Sequence, residues 1–179
     1  DSNHNLLQNI LMNFISLDTL PITINSPCVI PPINVCYEVT TYVDTINLPP
    51  IAGGYQLAYQ RCCRNVTILN IVAPNATGAT YYATVPDTNI EVVNSNPFFN
   101  DWPPPFICSQ VPFVFDHSAT DPDGDSLYYE LFLPFEGATT VLPMPQPPNN
   151  PPYASVIWNP PYSLIDMLGG TVPLTINPN

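Results

Sequence analysis

The residues best suited to chemistry lie in two short stretches. In the first, Cys62 and Cys63 sit between Arg61 and Arg64, and a neighbouring guanidinium lowers a thiol's pKa and favours the thiolate. Such a pair could serve redox exchange or act as a nucleophile. The structural alternative is that neighbouring side chains of a strand leave on opposite faces, so each sulfur could bridge a different partner. That alternative weighs more, because loops this rich in proline suit an oxidising, extracellular setting. The full set is Cys28, Cys36, Cys62, Cys63 and Cys108. It contains no C-x-x-C spacing, and His4 and His117 are the only imidazoles, so no zinc pattern is present. The odd count leaves one thiol over or implies a partner outside the chain, and any four of the five allow three pairings. The expected arrangement is a short clamp from Cys28 to Cys36, with Cys62 or Cys63 joined to Cys108.

The second stretch is Ala119–Glu130 (ATDPDGDSLYYE). Asp121, Asp123 and Asp125 alternate, so in an extended loop their carboxylates project to one side. A hard cation would relieve their repulsion, and calcium accepts flexible carboxylate cages. The EF-hand pattern is absent, since glycine stands fourth rather than sixth and Phe132 takes the place of the twelfth-position Glu. The structural alternative is an Asp-Gly turn joining a strand at 113–115 to one at 127–133, with the carboxylates facing water. One loop can be both, and the two readings stand together. Catalysis fits less well. Glycosidases hold two carboxyls about 5–9 Å apart across a substrate, whereas three acids on one turn resemble ligands. Asp116, His117 and Ser118 spell a hydrolase triad, but triad members converge from separate elements.

Composition narrows the field further. The chain has 179 residues, 45% apolar and 9% charged, with 14 acids against two bases and a net charge of −12. Lysine is absent, which removes phosphate-loop and Schiff-base chemistry. Nucleic acid and anionic membrane surfaces would be repelled. No apolar run reaches the ~18 residues of a membrane span. Neutral or cationic partners remain: a sugar, a protein or a divalent metal. The 25 prolines and 7 glycines fall short of the roughly 25–30% typical of low-complexity disorder. A folded chain wetted by Asn, Gln, Ser, Thr and backbone is expected.

The elements that must carry these residues are short. Proline breaks the chain at intervals of about ten residues, and between breaks lie segments rich in Val, Ile, Thr, Tyr and Phe. Segments 36–48, 54–60, 66–72, 80–85 and 126–133 have strand composition. The predicted class is all-β: antiparallel Ig-like or cadherin-like sandwiches with long proline-rich loops. Segment 5–14 fits either an amphipathic helix or a strand pair. A composition shift at 94–105 (NSNPFFNDWPPP) suggests two modules, 1–95 with the cysteine cluster and 96–179 with the acidic loop. Segment 143–152 (PMPQPPNNPP) reads as a rigid polyproline-like connection.

Several blocks resemble a known family. LPPIAGGYQLAYQRCCRNVTILNI at 48–71, FDHSATDPDGDSL at 115–127 and the closing Ile157–Asn179 run are similar to a module of very large Bacteroidota surface proteins. Those include gliding-motility adhesins exported by type IX secretion. The resemblance covers most of the chain, with 60–65 and 115–127 its most specific parts. It implies an extracellular, cell-surface location and a role in adhesion or surface layers. It also implies a strand rather than a helix at 6–14, and further strands before Asp1 and after Asn179. Exported proteins of this kind are often O-glycosylated at Asp-Ser/Thr before an apolar residue, which makes Thr19 and Thr45 the candidates.

The sequence therefore points to a non-enzymatic structural or adhesive module, stiffened by disulfides and by calcium. Its partners would be other surface proteins, copies of itself, or surface glycans. The alternative is a carbohydrate-binding module using Trp102 and Trp158 as stacking faces. Against that stands ordinary aromatic packing on proline.

Overall fold

The computed structural model describes residues 5–20, 28, 37–90, 93–104 and 106–177. Among them there is no helix, and the strands are β1 (Asn13–Leu20), β2 (Tyr37–Val43), β3 (Tyr55–Arg61), β4 (Ala79–Val85), β5 (Phe98–Phe99) and β6 (Ala119–Thr120). They form three two-stranded antiparallel sheets, β1–β2, β3–β4 and β5–β6. The all-β class is thus observed, built from the β-branched and aromatic runs that favour pleated surfaces.

Not every run of strand composition becomes a strand. Residues 36–48, 54–60 and 80–85 supply β2, β3 and β4. Segments 66–72, 113–115 and 126–133 form no named strand, and the hairpin expected across the acidic loop is absent. Pro112 has no N–H to donate, and the rings of Phe113 and Phe115 stack on each other at 6.5 Å. The short ladder in this part pairs Phe98 with Thr120 and Phe99 with Ala119 instead. Residues 5–12 are neither helix nor strand.

The chain divides into two units, and neither is continuous in sequence. One comprises Asp1–Asn9, Pro50–Asn96 and Ser126–Asn179; the other comprises Ile10–Pro49 and Pro97–Asp125. The division at 95/96 suggested by composition therefore meets units that each draw on both sides of it.

The second unit holds β1–β2, with Ile15 bulged out between paired Phe14 and Ser16. Phe14 meets Tyr42 edge-on at 6.0 Å, yet Phe14, Ile15 and Leu17 all remain more than half exposed. Phe99 lies 4.2 Å and Phe115 5.6 Å from His117, ring centre to ring centre.

The first unit is organised around a polar side chain. Gln60 is 2% exposed, less than any of the buried hydrophobics Ile71, Ala79, Ala138 and Val156. The β3–β4 register sets Gln56, Ala58 and Gln60 opposite Thr84, Tyr82 and Thr80, so these six share one face. Gln60 Nε2 donates to Thr80 Oγ1 (3.0 Å), whose hydroxyl donates to the Glu136 carbonyl (2.8 Å). The Asn149 amide donates to Gln60 Oε1 (2.8 Å). Tyr82, Phe135 and Tyr153 close over the same face with ring centres 5.6–6.0 Å apart. The Tyr153 hydroxyl reaches Gln56 Oε1 at 3.2 Å. Burial, and then the neighbouring Tyr82, pushes the Tyr153 phenol above its usual pKa.

Extended segments without regular ladders complete this unit. Residues 154–159 bond 134–136 through Glu136 N to Ala154 O (2.8 Å) and Val156 N to Pro134 O (2.9 Å). They bond 70–72 through Val72 N to Ile157 O (2.9 Å) and Asn159 N to Asn70 O (2.9 Å). Side chains add further ties, from Asn70 Nδ2 to Met167 O (2.8 Å) and from Asn159 Nδ2 to Leu69 O (3.2 Å).

Two glycines give the network its clearance. A Cβ on Gly137 would strike Thr80 Oγ1 and lie 2.9 Å from Gln60 Nε2, and one on Gly78 would strike the Gly137 carbonyl oxygen. Gly137→Ala is therefore expected to lower stability by about 1–3 kcal/mol through overpacking. Gly124→Ala, whose added methyl meets only open space, should lose about 1 kcal/mol, for its left-handed backbone alone. Thermal melting of the two variants checks this; a Gly137→Ala protein melting with the wild type would remove the clearance argument.

Candidate functional site

Strand β3 ends at Arg61, and the next three residues build the most chemically distinctive place in the chain. The Cys62 amide donates to Pro143 O (2.8 Å), and the Arg64 amide is shared between Pro74 O and Thr77 O (both 3.1 Å). Arg64 Nη2 donates to Phe135 O (3.0 Å), and Arg64 Nε is buried without a hydrogen-bond partner among the described residues. Arg61 Nη1 approaches the Met144 sulfur at 3.4 Å. Cys62 is half-buried and Cys63 exposed.

The disulfides are Cys62–Cys63 and Cys28–Cys108, which corrects the expected pairing. Alternation separates neighbouring side chains only within a strand. Cys62 and Cys63 lie beyond the last residue of β3, so nothing holds their sulfurs apart. Cys28 therefore joins Cys108 rather than Cys36, which lies outside the described residues. The two bonds differ in kind. Cys28–Cys108 spans 80 residues, and in the chain-entropy account a loop of that length adds roughly 4–5 kcal/mol. Cys62–Cys63 has a sequence separation of 1 and closes only a ring of two residues, with no long loop.

The acidic stretch is placed by β6 and folds as an Asx turn. Asp121 Oδ1 accepts the amides of Asp123 (2.9 Å) and Asp125 (3.2 Å), and Asp121 O accepts the Gly124 amide (3.2 Å). Gly124 sits at φ +81°, which glycine adopts without steric cost. Among the described residues no three of His, Cys, Asp and Glu are grouped as metal ligands. Both amides fall on Asp121 Oδ1, so a cation at Asp121, Asp123 and Asp125 would use the other oxygen of the Asp121 carboxylate.

Asp116, His117 and Ser118 are engaged separately. Asp116 Oδ1 accepts the Ser118 amide (3.0 Å), and the Ser118 hydroxyl accepts from Asn100 Nδ2 (3.1 Å). The imidazole lies against the rings of Phe99 and Phe115. The other named residues are placed as follows. Thr19 is exposed on β1, and Thr45 is exposed just after β2. Trp102 is 73% exposed. Trp158 is half-buried, bridged to Ile71, with its Nε1 buried and unpartnered. The two tryptophans belong to different units.

Sequence reasoning missed the outward face of β3–β4. Tyr55, Leu57, Tyr59 and Arg61 stand there with Ala79, Tyr81, Ala83 and Val85; Leu57, Tyr59, Arg61 and Tyr81 are exposed and Ala79 is buried. Tyr59 and Tyr81 are 51% and 62% exposed, with ring centres 6.4 Å apart and planes inclined by 28°. The alternation in GYQLAYQ held the signal, since every second residue from Tyr55 is aromatic or aliphatic. The inner face proved to be the glutamine face. The outer one carries no carboxylate.

No family model, no curated protein and no solved structure matches this chain.

The turn reading has a direct check. Asp121→Asn keeps an acceptor for the two amides and should leave melting nearly unchanged. Asp121→Ala frees both amides and should lower stability by about 1 kcal/mol. Equal losses in the two variants would show that the carboxylate charge, not the turn, is what matters.

Proposed function

We propose that this chain is a non-enzymatic structural and adhesive module of a large extracellular bacterial surface protein. Its partners are other surface proteins, further copies of itself, or surface glycans. The observation that carries the reading is how the first unit is held. Hydrogen bonds between segments 71 to 97 residues apart, from Arg64, Asn70, Asn149, Tyr153 and Asn159, fix its irregular segments in place. In the second unit a covalent link spans 80 residues. This is a chain ordered by cross-linking, suited to work where no chaperone reaches it. The resemblance of 48–71 and 115–127 to Bacteroidota surface modules supports the same assignment, including type IX export and Thr19 and Thr45 as O-glycosylation sites. The two-stranded sheets would then be parts of antiparallel sandwiches. No helix among the described residues is long and apolar enough to cross a membrane.

Antibodies raised against the module should label intact, unpermeabilised cells of its source; labelling only after permeabilisation would sink the proposal. The second reading, a carbohydrate-binding module, is favoured by one observation, the exposed Tyr59–Tyr81 pair on a face without carboxylates. A glycan array separates the two. Saturable binding to one sugar class, lost in Tyr81→Ala or Trp102→Ala, promotes the second reading, whereas the structural reading expects no binding that depends on these aromatics.

Calcium at Asp121, Asp123 and Asp125 belongs to the proposal as an added stiffener. Its signature is an upward melting shift in millimolar calcium, reversed by chelator and blunted in Asp123→Asn. No shift would leave the acidic loop as a turn alone.

A further inference from the structure

The bond between Cys62 and Cys63 ties together no distant parts of the chain. It closes only the small ring of two adjacent residues, so it cannot restrict the unfolded chain as a long-range cross-link does. The segment is already tied by the Cys62 amide to Pro143, by the Arg64 amide to Pro74 and Thr77, and by the Arg64 guanidinium to Phe135. These contacts run through backbone and guanidinium and use neither sulfur.

The surroundings suit exchange. Cys63 is exposed, so an incoming thiol has access to its sulfur. The residues on either side, Arg61 and Arg64, are the only cations in a chain of net charge −12. Positive charge beside a thiol stabilises its thiolate, and a more stable thiolate is a better leaving group in thiol–disulfide exchange. Arg64 is engaged by the fold through Phe135 O, whereas among the described residues Arg61 reaches only the Met144 sulfur.

We propose that Cys62–Cys63 is a reversible thiol–disulfide exchange site for small thiols or protein dithiols, one that can be opened without unfolding the protein. An external thiolate attacks the Cys63 sulfur. A bond forms between the two, the bond to Cys62 breaks, and its electron pair leaves on the Cys62 sulfur. A second external thiol then attacks the mixed disulfide, releasing the external pair as a disulfide and leaving Cys63 as thiolate. In sum, two external thiols lose two electrons and two protons, which the cysteine pair gains. Oxidised external disulfide runs the same steps backwards.

The test uses the native oxidised protein, incubated with graded glutathione or dithiothreitol, acid-quenched, alkylated and mapped by peptide mass. The expected result is alkylation of Cys62 and Cys63 while Cys28 and Cys108 are still recovered as a linked pair. Melting of that species should lie within about 3 °C of the oxidised protein, and glutathione disulfide should restore the pair. The proposal is overturned if Cys62 and Cys63 stay unreactive until denaturant is added. It is equally overturned if their reduction brings a cooperative loss of structure. A Cys62→Ser/Cys63→Ser variant reads the second point independently: near-wild-type melting supports the proposal, and a collapse of the fold assigns the bond to structure.

Discussion

Much of the first unit depends on one constraint, that the buried amide of Gln60 must keep both of its hydrogen-bonding ends satisfied. Its donor goes to Thr80, its acceptor takes the Asn149 amide, and Thr80 passes the chain of bonds on to the Glu136 carbonyl. Hydrophobic burial is indifferent to direction, but an amide buried without partners forfeits about 1–3 kcal/mol per orphaned group. The arrangement therefore selects one placement of 136–137 and one of 149 against the β3–β4 face, and rejects near alternatives. It succeeds because the glycines at 78 and 137 let backbone come closer than any side chain would allow. A sequence with little charge and much Asn, Gln, Ser and Thr is suited to a core of this kind.

That core also explains why β3–β4 wears its pattern reversed. Alternation ordinarily turns the apolar set inward. Here the inward set is Gln56, Ala58, Gln60, Thr80, Tyr82 and Thr84, and the tyrosines and leucine of the other set look outward. Tyr82 and Tyr153 reconcile the two, since their rings pack with Phe135 while the Tyr153 hydroxyl serves Gln56. An outward set of such composition is expensive to leave in water without a use.

Legibility in the sequence varied by kind of information. Strand composition located β2, β3 and β4, because Val, Thr and Tyr at alternating positions carry a local preference that survives in the fold. The same composition at 66–72 and 126–133 did not become strand, since a ladder needs a partner and composition does not name one. The acidic stretch was legible as a turn from Asp123-Gly124, and Asp121, two residues ahead of that dipeptide, takes the Asp123 and Asp125 amides as an Asx turn does. The cysteine pairing was not legible. Strand alternation is a sound rule, but it lapses one residue past the end of a strand, which is where Cys62 and Cys63 stand. Gln60 was invisible as a keystone, because a lone glutamine in a strand has no signature apart from what its partners do.

The long-range covalent tie has a consequence under load. If the chain is pulled from both sides, force crosses directly between residues 28 and 108 through the sulfur bridge. The stretch inside the bridge, with β2, β3 and β4, is then out of the line of tension. Its 80-residue separation represents about 270 Å of contour that cannot be drawn out. A filament made of such pieces could lengthen only through the residues outside the bridge.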